Sequence, residues 1–247
     1  MDRYGLTTAR QPALVPDFVT ALPTVAAGAL AVFDADGTLW TDDVADDFTC
    51  WMIDQGHVDG GPWEEYMRVY AADPPTGCEF LLTFYAGMTP ATLAGLVQTW
   101  WDHHAHRSWI DQVVESLHWA ASHGYDVWIV SGTPTDFLLP LKQMLPVDEV
   151  VAMDFALDTG GHITGRPDGI PCAGEGKARK LLSLVGDRSV ALGVGNGSLD
   201  GPMMALATQA WSVYPNPEFA AHSRAQGWPI LARPPDFVEE EKFAPHD

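Results

Sequence analysis

Basic residues are scarce in this sequence. Its 247 residues include 13 lysines and arginines against 33 aspartates and glutamates, so the formal net charge is -20 at pH 7. Because a nucleic-acid-binding protein needs a basic surface to neutralise phosphates, we expect no nucleic-acid partner. A small phosphate ester is not excluded, since one metal ion and a few locally placed cations can hold it.

Cysteines and long apolar runs are also few. Cys50, Cys78 and Cys172 are too scattered for a disulfide framework or a zinc site, which favours free thiols in a reducing compartment. No stretch approaches the ~20 apolar residues that a membrane span requires, and the first residues lack the charged and apolar regions of a secretory signal. We therefore expect a cytoplasmic protein without a membrane partner. The hydrophobic fraction of 47% predicts a buried core.

Short apolar or β-branched runs alternate with helical patterns along most of the chain. Strands are predicted at residues 29–34, 126–131, 149–155, 189–195 and 210–214. Helices are predicted at residues 110–123, 135–144, 177–185, 202–208 and 217–226. This alternation predicts an α/β fold, with a Rossmann-like parallel sheet core and helices on both faces.

The segment at residues 46–108 interrupts the alternation, because it carries helical patterns and no convincing strand. Thr89-Pro90 is typical of a helix start. An apolar stripe at helical spacing follows it, formed by Leu93, Leu96, Val97, Trp100 and Trp101. We predict an inserted helical cap domain at 46–108 and an α/β core made of residues 1–45 and 109–247.

Two aspartates follow the first predicted strand, in the segment Val-Phe-Asp34-Ala-Asp36-Gly-Thr. Carboxylates two residues apart on an extended chain point to the same side, and open α/β sheets bind ligands at the carboxyl ends of their strands. Two like charges so close repel each other, and Mg²⁺ would relieve that repulsion and neutralise a phosphoryl group. The pair therefore suits phosphoryl transfer, with Asp34 as covalent nucleophile and Asp36 as general acid and base.

A plainer interpretation of the same residues stays open at this point. Asp-x-Asp-Gly also occurs in ordinary loop turns and in calcium sites, although the further ligands that a calcium loop needs are missing here. In an active site, Gly37 would let the backbone approach phosphoryl oxygens closely.

The segment resembles the first motif, Asp-x-Asp-Gly-Thr, of the haloacid dehalogenase-like hydrolase superfamily, and three later motifs follow in the family's order. Ser131 ends a predicted strand in Val-Trp-Ile-Val-Ser-Gly-Thr, and Lys177 stands at a predicted helix start in Gly-Glu-Gly-Lys. Asn196 and Asp200 lie in Gly-Val-Gly-Asn-Gly-Ser-Leu-Asp, after another predicted strand. Taken alone, Ser131 could be a helix cap and Lys177 a surface lysine.

The resemblance implies a magnesium-dependent phosphohydrolase with an aspartyl-phosphate intermediate. Within the superfamily an acid at position 36 marks phosphotransfer, since true dehalogenases lack it. The phosphoryl oxygens would be held by Gly37, Thr38, Ser131, Gly132 and Lys177. Mg²⁺ would be held by Asp34, the backbone carbonyl of Asp36 and Asn196, with Asp200 binding directly or through water. The family usually has aspartate at position 196, so asparagine is expected to weaken the metal site.

The helical insert and the segment Ile163-Thr-Gly-Arg-Pro, a predicted hairpin, resemble the phosphoserine-phosphatase-like branch. Members of that branch hold the substrate ammonium with an acid nine residues after the nucleophile, here Asp43. They hold the substrate carboxylate with an arginine, which the matching residues 80–88 lack. This favours an amino-alcohol phosphate, such as phosphoethanolamine or phosphocholine, with phosphoserine also open. An aromatic face against such a cation is predicted from Trp40, Trp51, Trp63, Phe84 and Tyr85. Alternatively, these side chains form the cap core and Asp43 caps the next helix.

Two further functions stay open. A phosphotransferase or mutase would pass the phosphoryl group to an acceptor other than water, and a catalytically weakened member would bind or regulate, which Asn196 favours. The run Asp-His103-His-Ala-His106-Arg would place two histidines on one helix face, as a metal pair requires. The solvated end of a cap helix explains that run better.

Overall fold

The computed structural model describes residues 15–22, 28–104 and 109–234. Within them, six strands form one sheet: β1 Leu30–Phe33, β2 Asp126–Pro134, β3 Glu149–Met153, β6 Val190–Gly195, β7 Gln209–Val213 and β8 Ile230–Leu231. Their order is β3-β2-β1-β6-β7-β8, and all neighbouring strands run parallel. An antiparallel hairpin is formed by β4 Phe155–Leu157 and β5 Ile163–Pro167.

Helices connect these strands. The segment between β1 and β2 contains α2 Val44–Asp54, α3 Trp63–Ala72, α4 Pro74–Leu81, a short 3-10 helix Leu82–Tyr85, α5 Pro90–His104 and α6 Asp111–Ser122. The remaining helices are α1 Asp17–Thr20, α7 Thr135–Leu138, α8 Leu141–Met144, α9 Glu175–Val185, α10 Gly201–Met204 and α11 Pro217–Gln226.

The central strand β1 is buried on both faces, which is why its sequence Leu-Ala-Val-Phe is entirely apolar. Leu30 and Val32 pack in one apolar cluster with side chains of α9, α10 and α11. Ala31 and Phe33 pack in a second cluster with side chains of α6 and of the insert. Each large side chain buried in this way contributes roughly 1.5–3 kcal/mol. The predicted parallel α/β sheet with helices on both faces is therefore confirmed.

The insert between β1 and α6 carries helices and no named strand among its described residues, 44–104. Its apolar side chains are continuous with those of the sheet, since Phe48 contacts Phe137 at a ring distance of 4.7 Å. Trp101 Nε1 also donates to the Phe137 carbonyl at 2.8 Å, so α5 is tied to α7. The division into a cap at 46–108 and a core stays a prediction.

Local signals explain how the insert's first and last helices begin. Asp43 accepts a hydrogen bond from Asp46 N at 3.0 Å and so caps α2. Thr89 accepts from Thr92 N at 3.2 Å, with Pro90 as the first residue of α5. No single helix of the described residues is long and apolar enough to cross a membrane; one bent pair, Pro74–Tyr85 with Pro90–His104, passes by length and composition.

Three predicted elements were drawn too long. The helix predicted at 135–144 is two short helices, because Pro140 has no N–H to continue α7. The strand predicted at 149–155 ends at Met153, since Asp154 turns to bind Thr135 and Lys180. The helix predicted at 202–208 covers only Gly201–Met204. The short edge strand β8 was not predicted at all.

Candidate active site

Neighbouring strand ends bring the predicted residues together. Asp34 follows β1, Ser131 lies in β2, and Asn196 opens the loop after β6. Because β2, β1 and β6 are adjacent and parallel, their carboxyl ends meet at one edge of the sheet. Lys177 enters from the first turn of α9. All four residues line one cavity of about 1010 Å³.

Asp34 is buried, with 4% of its surface exposed, and both of its carboxylate oxygens have donors. Oδ1 accepts a hydrogen bond from Lys177 Nζ at 2.6 Å, and Oδ2 accepts one from the Thr38 hydroxyl at 2.8 Å. Thr38 thus orients the carboxylate. It is fully buried, its hydroxyl and N–H donate to Asp34 and Ala35, and it does not line the cavity, so its predicted contact with phosphoryl oxygens is wrong. Burial and the charge of Asp200 together raise the pKa of Asp34 to about 7, against the lowering effect of Lys177.

Lys177 joins two carboxylates. Its Nζ lies 2.6 Å from Asp34 Oδ1 and 2.6 Å from Asp200 Oδ1. Asp200 Oδ2 accepts the backbone N–H groups of Asn196 and Gly197 at 2.9 and 3.0 Å, which fixes the loop after β6. Burial disfavours the ammonium, but Asp200 and Asp34 raise the pKa of Lys177 above its usual range. Lys177 is 2% exposed, so the surface-lysine alternative is wrong.

Asp36 is held by donors on both oxygens. Oδ1 accepts from Val44 N at 2.7 Å and from Trp40 Nε1 at 3.0 Å. Oδ2 accepts from the Thr133 hydroxyl at 2.6 Å and, more weakly, from the Ser131 hydroxyl at 3.5 Å. Burial and the nearby charge of Asp43 together raise the pKa of Asp36 to about 7, against the lowering effect of the hydrogen bonds from Thr133, Val44 and Trp40.

Two glycines at the site stand where the chain has a close neighbour. Gly37 has φ +71°, and a Cβ there would lie 1.9 Å from Asn196 Nδ2, so the turn after Asp36 packs directly on the asparagine amide. A Cβ at Gly132 would lie 3.2 Å from Cys78 Sγ, so α4 of the insert packs against the β2 end. Gly37 and Gly132 both line the cavity.

The insert supplies an acidic and aromatic part of the cavity wall. Asp43, Asp46 and Asp47 line it from the start of α2, and Tyr66 and Tyr70 line it from α3. The Tyr66 hydroxyl donates to Asp46, and the two tyrosine rings lie 6.0 Å apart in a tilted arrangement. Neither tyrosine was predicted, because a spacing of four places them on one face of a helix but does not show what that face meets.

The structure does not support the predicted aromatic face against the substrate. Trp40, Phe84 and Tyr85 are buried and do not line this cavity. Trp40 binds Asp36, and the Tyr85 hydroxyl hydrogen-bonds the Thr49 hydroxyl at 2.6 Å within the core. Phe84 and Tyr85 instead line a separate, smaller cavity. Trp51 and Trp63 pack against the core cluster, so the cap-core alternative describes these side chains.

Asp43 and His103, two further residues singled out from the sequence, both line the cavity. Asp43 caps α2 and also lines the cavity, so capping does not remove it from the substrate side. His103 lines the cavity, as does His104, and each Nδ1 contacts the carbonyl four residues earlier. His106 lies outside the described residues.

The residues at the strand ends suit a hard divalent cation. With all carboxylates ionised, Asp34, Asp36 and Asp200 carry three negative charges and Lys177 one positive charge, which leaves two negative charges uncompensated. Asp34 and Asp200 offer carboxylate oxygens, and Asn196 adds an amide, the donor types that Mg²⁺ prefers. Within the described part of the chain, no group of three or more His, Cys, Asp or Glu side chains is arranged for a metal. Such a site would therefore rely on Asn196 or backbone oxygens.

The model of the haloacid dehalogenase-like hydrolase family matches residues 31–205, which include every strand-end residue described above. This chain belongs to the haloacid dehalogenase-like hydrolases. The resemblance drawn from the four motifs is thus confirmed, and so is the expectation of a hydrolase. Phosphatases of this family typically use Mg²⁺.

Relatives of this haloacid dehalogenase-like hydrolase match between 78% and 83% of its chain. A histidinol-phosphatase of Neisseria meningitidis serogroup C (strain 8013) is 23% identical over 218 residues, covering 82% of this chain and 97% of that protein. A Bordetella pertussis Tohama I structure of unknown function matches with TM-score 0.73 and 23% identity, covering 83% and 99% of the two chains. A probable phosphoserine phosphatase from Vibrio cholerae matches with TM-score 0.56 and 21% identity, covering 78% and 58%.

Proposed function

We propose that this hydrolase is a magnesium-dependent phosphomonoesterase that works through an aspartyl phosphate on Asp34. The observation that carries the proposal is that two neighbouring carboxylates have different hydrogen-bonding partners. Asp34 is paired with the buried Lys177 ammonium, whereas Asp36 contacts hydroxyl and N–H groups. One carboxylate is thus suited to attack phosphorus and the other to carry a proton.

The reaction has two steps. In the first, an Asp34 oxygen forms a bond to phosphorus, the bond from phosphorus to the leaving oxygen breaks, and Asp36 gives its proton to that oxygen. In the second, Asp36 takes a proton from water, the water oxygen bonds to phosphorus, and the bond to Asp34 breaks. Inorganic phosphate leaves and both carboxylates return to their starting states.

Several residues would stabilise the charge on the phosphoryl group. Lys177 lies beside Asp34, and Ser131 lies in β2 and lines the same cavity, so both are proposed to bind phosphoryl oxygens. The backbone N–H group of Gly132 is proposed to do the same, whereas that of Gly37 donates to the Asp42 carbonyl at 3.2 Å. Mg²⁺ would be held by Asp34, the Asp36 carbonyl, Asn196 and Asp200, and when bound it neutralises phosphoryl charge.

The substrate is proposed to be a small amino-alcohol phosphate. The acidic wall formed by Asp43, Asp46 and Asp47 suits an ammonium group, and the faces of Tyr66 and Tyr70 suit a cation as well. The Neisseria relative is a histidinol-phosphatase, and histidinol is an amino alcohol without a carboxylate. Histidinol phosphate therefore joins phosphoethanolamine and phosphocholine as a candidate, with phosphoserine as the alternative.

A substrate panel tests this proposal. Purified protein is assayed for phosphate release from these four esters and from p-nitrophenyl phosphate, with Mg²⁺ and with EDTA. We expect Mg²⁺-dependent release, and a kcat/KM for at least one amino-alcohol phosphate above that for phosphoserine. Phosphoserine as the best ester would overturn the substrate class, and no release from any ester would favour a phosphotransferase or a weakened member.

Asp43→Asn separates the two roles of Asp43. Asparagine caps helices as well as aspartate does, so the unfolding midpoint should change little. The lost charge should raise KM for the amino-alcohol phosphate about tenfold, while KM for p-nitrophenyl phosphate stays near its original value. Asp59→Asn, on an exposed turn, is the control. An unchanged KM for the cationic ester would restrict Asp43 to capping.

A further inference from the structure

Thr133, two residues after the predicted phosphate-binding Ser131, lies beside Asp36. It is 4% exposed, lines the cavity, and its hydroxyl donates to Asp36 Oδ2 at 2.6 Å. Its backbone N–H donates to Ser131 Oγ at 3.1 Å. One residue therefore holds both the carboxylate proposed to move protons and the hydroxyl proposed to bind phosphate.

The donors on the two Asp36 oxygens differ in kind. Oδ1 accepts from Val44 N and Trp40 Nε1, and an N–H group of either type can only donate. Oδ2 accepts from hydroxyls, which can rotate to donate or accept. A proton on Oδ1 would face two fixed donors, whereas a proton on Oδ2 meets a hydroxyl that can turn to receive it.

The position of these donors agrees with that division. Val44 and Trp40 do not line the cavity, whereas Ser131 and Thr133 do. Oδ2 is thus the oxygen on the side where a phosphate ester would lie. Of its two hydroxyl partners Thr133 is the close one, at 2.6 Å against 3.5 Å for Ser131.

We infer that Thr133 is a positioning residue, whose rotatable hydroxyl keeps Asp36 Oδ2 aimed at the leaving oxygen in both protonation states. The inference rests on the proposed acid and base role of Asp36. Before the first step Thr133 accepts from the protonated Oδ2, and during that step the Oδ2–H turns from Thr133 to the leaving oxygen. After the proton has passed to the leaving alkoxide, the hydroxyl rotates and donates to the carboxylate. Thr133 keeps its own proton throughout.

The dependence of rate on the leaving group tests this role. An alkyl phosphate needs a proton on its leaving oxygen, whereas p-nitrophenolate leaves without one. The value of kcat/KM covers only the steps up to release of the alcohol, so the ratio of kcat/KM for the alkyl ester to that for p-nitrophenyl phosphate isolates proton delivery. A purely structural defect would lower both values together and leave the ratio unchanged.

Thr133→Val keeps the shape of the side chain and removes the hydroxyl. We expect the ratio to fall about tenfold or more, against about 10²-fold or more for Asp36→Asn. Thr133→Ser should restore the ratio to within about threefold of wild type. Thr135→Val is the matched control, because that hydroxyl binds Asp154 at 2.7 Å and makes no contact with Asp36. If Thr133→Val does not fold, Thr133→Ala replaces it.

The possible results are distinguishable. A lower ratio in Thr133→Val, restored in Thr133→Ser and unchanged in Thr135→Val, supports the inference. An unchanged ratio in Thr133→Val beside a lowered one in Asp36→Asn overturns the inference and leaves the proposed function standing. An unchanged ratio in Asp36→Asn removes the general-acid role of Asp36, and the inference fails with it.

Discussion

At the scale of single residues, the site shows how neighbours of one chemical type acquire different roles. Asp34 and Asp36 are the same residue two positions apart, and burial raises the pKa of both. Their partners separate them, because an ammonium faces Asp34 whereas hydroxyl and N–H donors face Asp36. The chemical environment of the Asp36 side chain therefore depends on β2 and α2 as much as on its own strand.

Asn196→Asp tests the metal assignment at this scale. The substitution adds a negative charge where the proposed magnesium site relies on an amide, so we expect the half-saturating Mg²⁺ concentration to fall about tenfold. Asn216→Asp is the control, because it adds the same charge to the cavity wall and keeps a good cap on α11. Magnesium titrations of initial rate measure both. An unchanged magnesium requirement in Asn196→Asp would remove Asn196 from the ligands.

At the scale of elements, the insert is joined to the sheet by one apolar cluster and by specific hydrogen bonds. Trp101 on α5 reaches the Phe137 carbonyl, and the loop before α5 pairs with the hairpin through Gly87 N to Ile163 O at 2.8 Å. Gly165 lets the hairpin approach the 3-10 helix, since a Cβ there would lie 3.1 Å from Thr83 Cα. The acidic wall at the start of α2 and the two tyrosines of α3 are thus held in place over the strand ends.

Trp101→Phe tests the tie between α5 and α7. The variant leaves the buried Phe137 carbonyl without its donor and removes part of a fully buried ring, so we expect a loss of about 1–3 kcal/mol in the free energy of unfolding. Trp119→Phe, on half-buried α6 surface stacked on His123, should cost less than about 1 kcal/mol. Urea unfolding measures both, and equal losses would contradict a specific role for this hydrogen bond.

Elements were predictable where a local signal is complete. The five longest sheet strands carry apolar runs closed by turn residues, and α5 carries its own cap and stripe, so their existence followed from sequence. The break at Pro140 has a local signal in the proline itself, whereas β8 has only two residues and depends on pairing with β7. The aromatics of the insert could not be placed from sequence, because Tyr66 and Tyr85 differ only in which tertiary neighbours they meet.

At the scale of the whole molecule, strong acidity is compatible with phosphate chemistry because cationic side chains lie in the cavity itself. Lys177 is buried and forms ion pairs with Asp34 and Asp200. Arg233 is the other lysine or arginine that lines the cavity among the described residues. The order of the four motifs predicted the family and the residues at the strand ends. Thr133 and the two cavity tyrosines required the structure, since only folding brings α3 and β2 to the same cavity.

The central claim is that Asp34 becomes phosphorylated during turnover. It is tested most directly by mixing enzyme, Mg²⁺ and a hydrolysed ester, quenching in acid, reducing with borohydride, and sequencing the peptides by mass spectrometry. An aspartyl phosphate is reduced to homoserine, so we predict homoserine at position 34, absent without substrate and absent in Asp34→Asn, whose turnover should fall at least about 10³-fold. Turnover of wild type with no homoserine at position 34, or turnover retained in Asp34→Asn, would contradict the account.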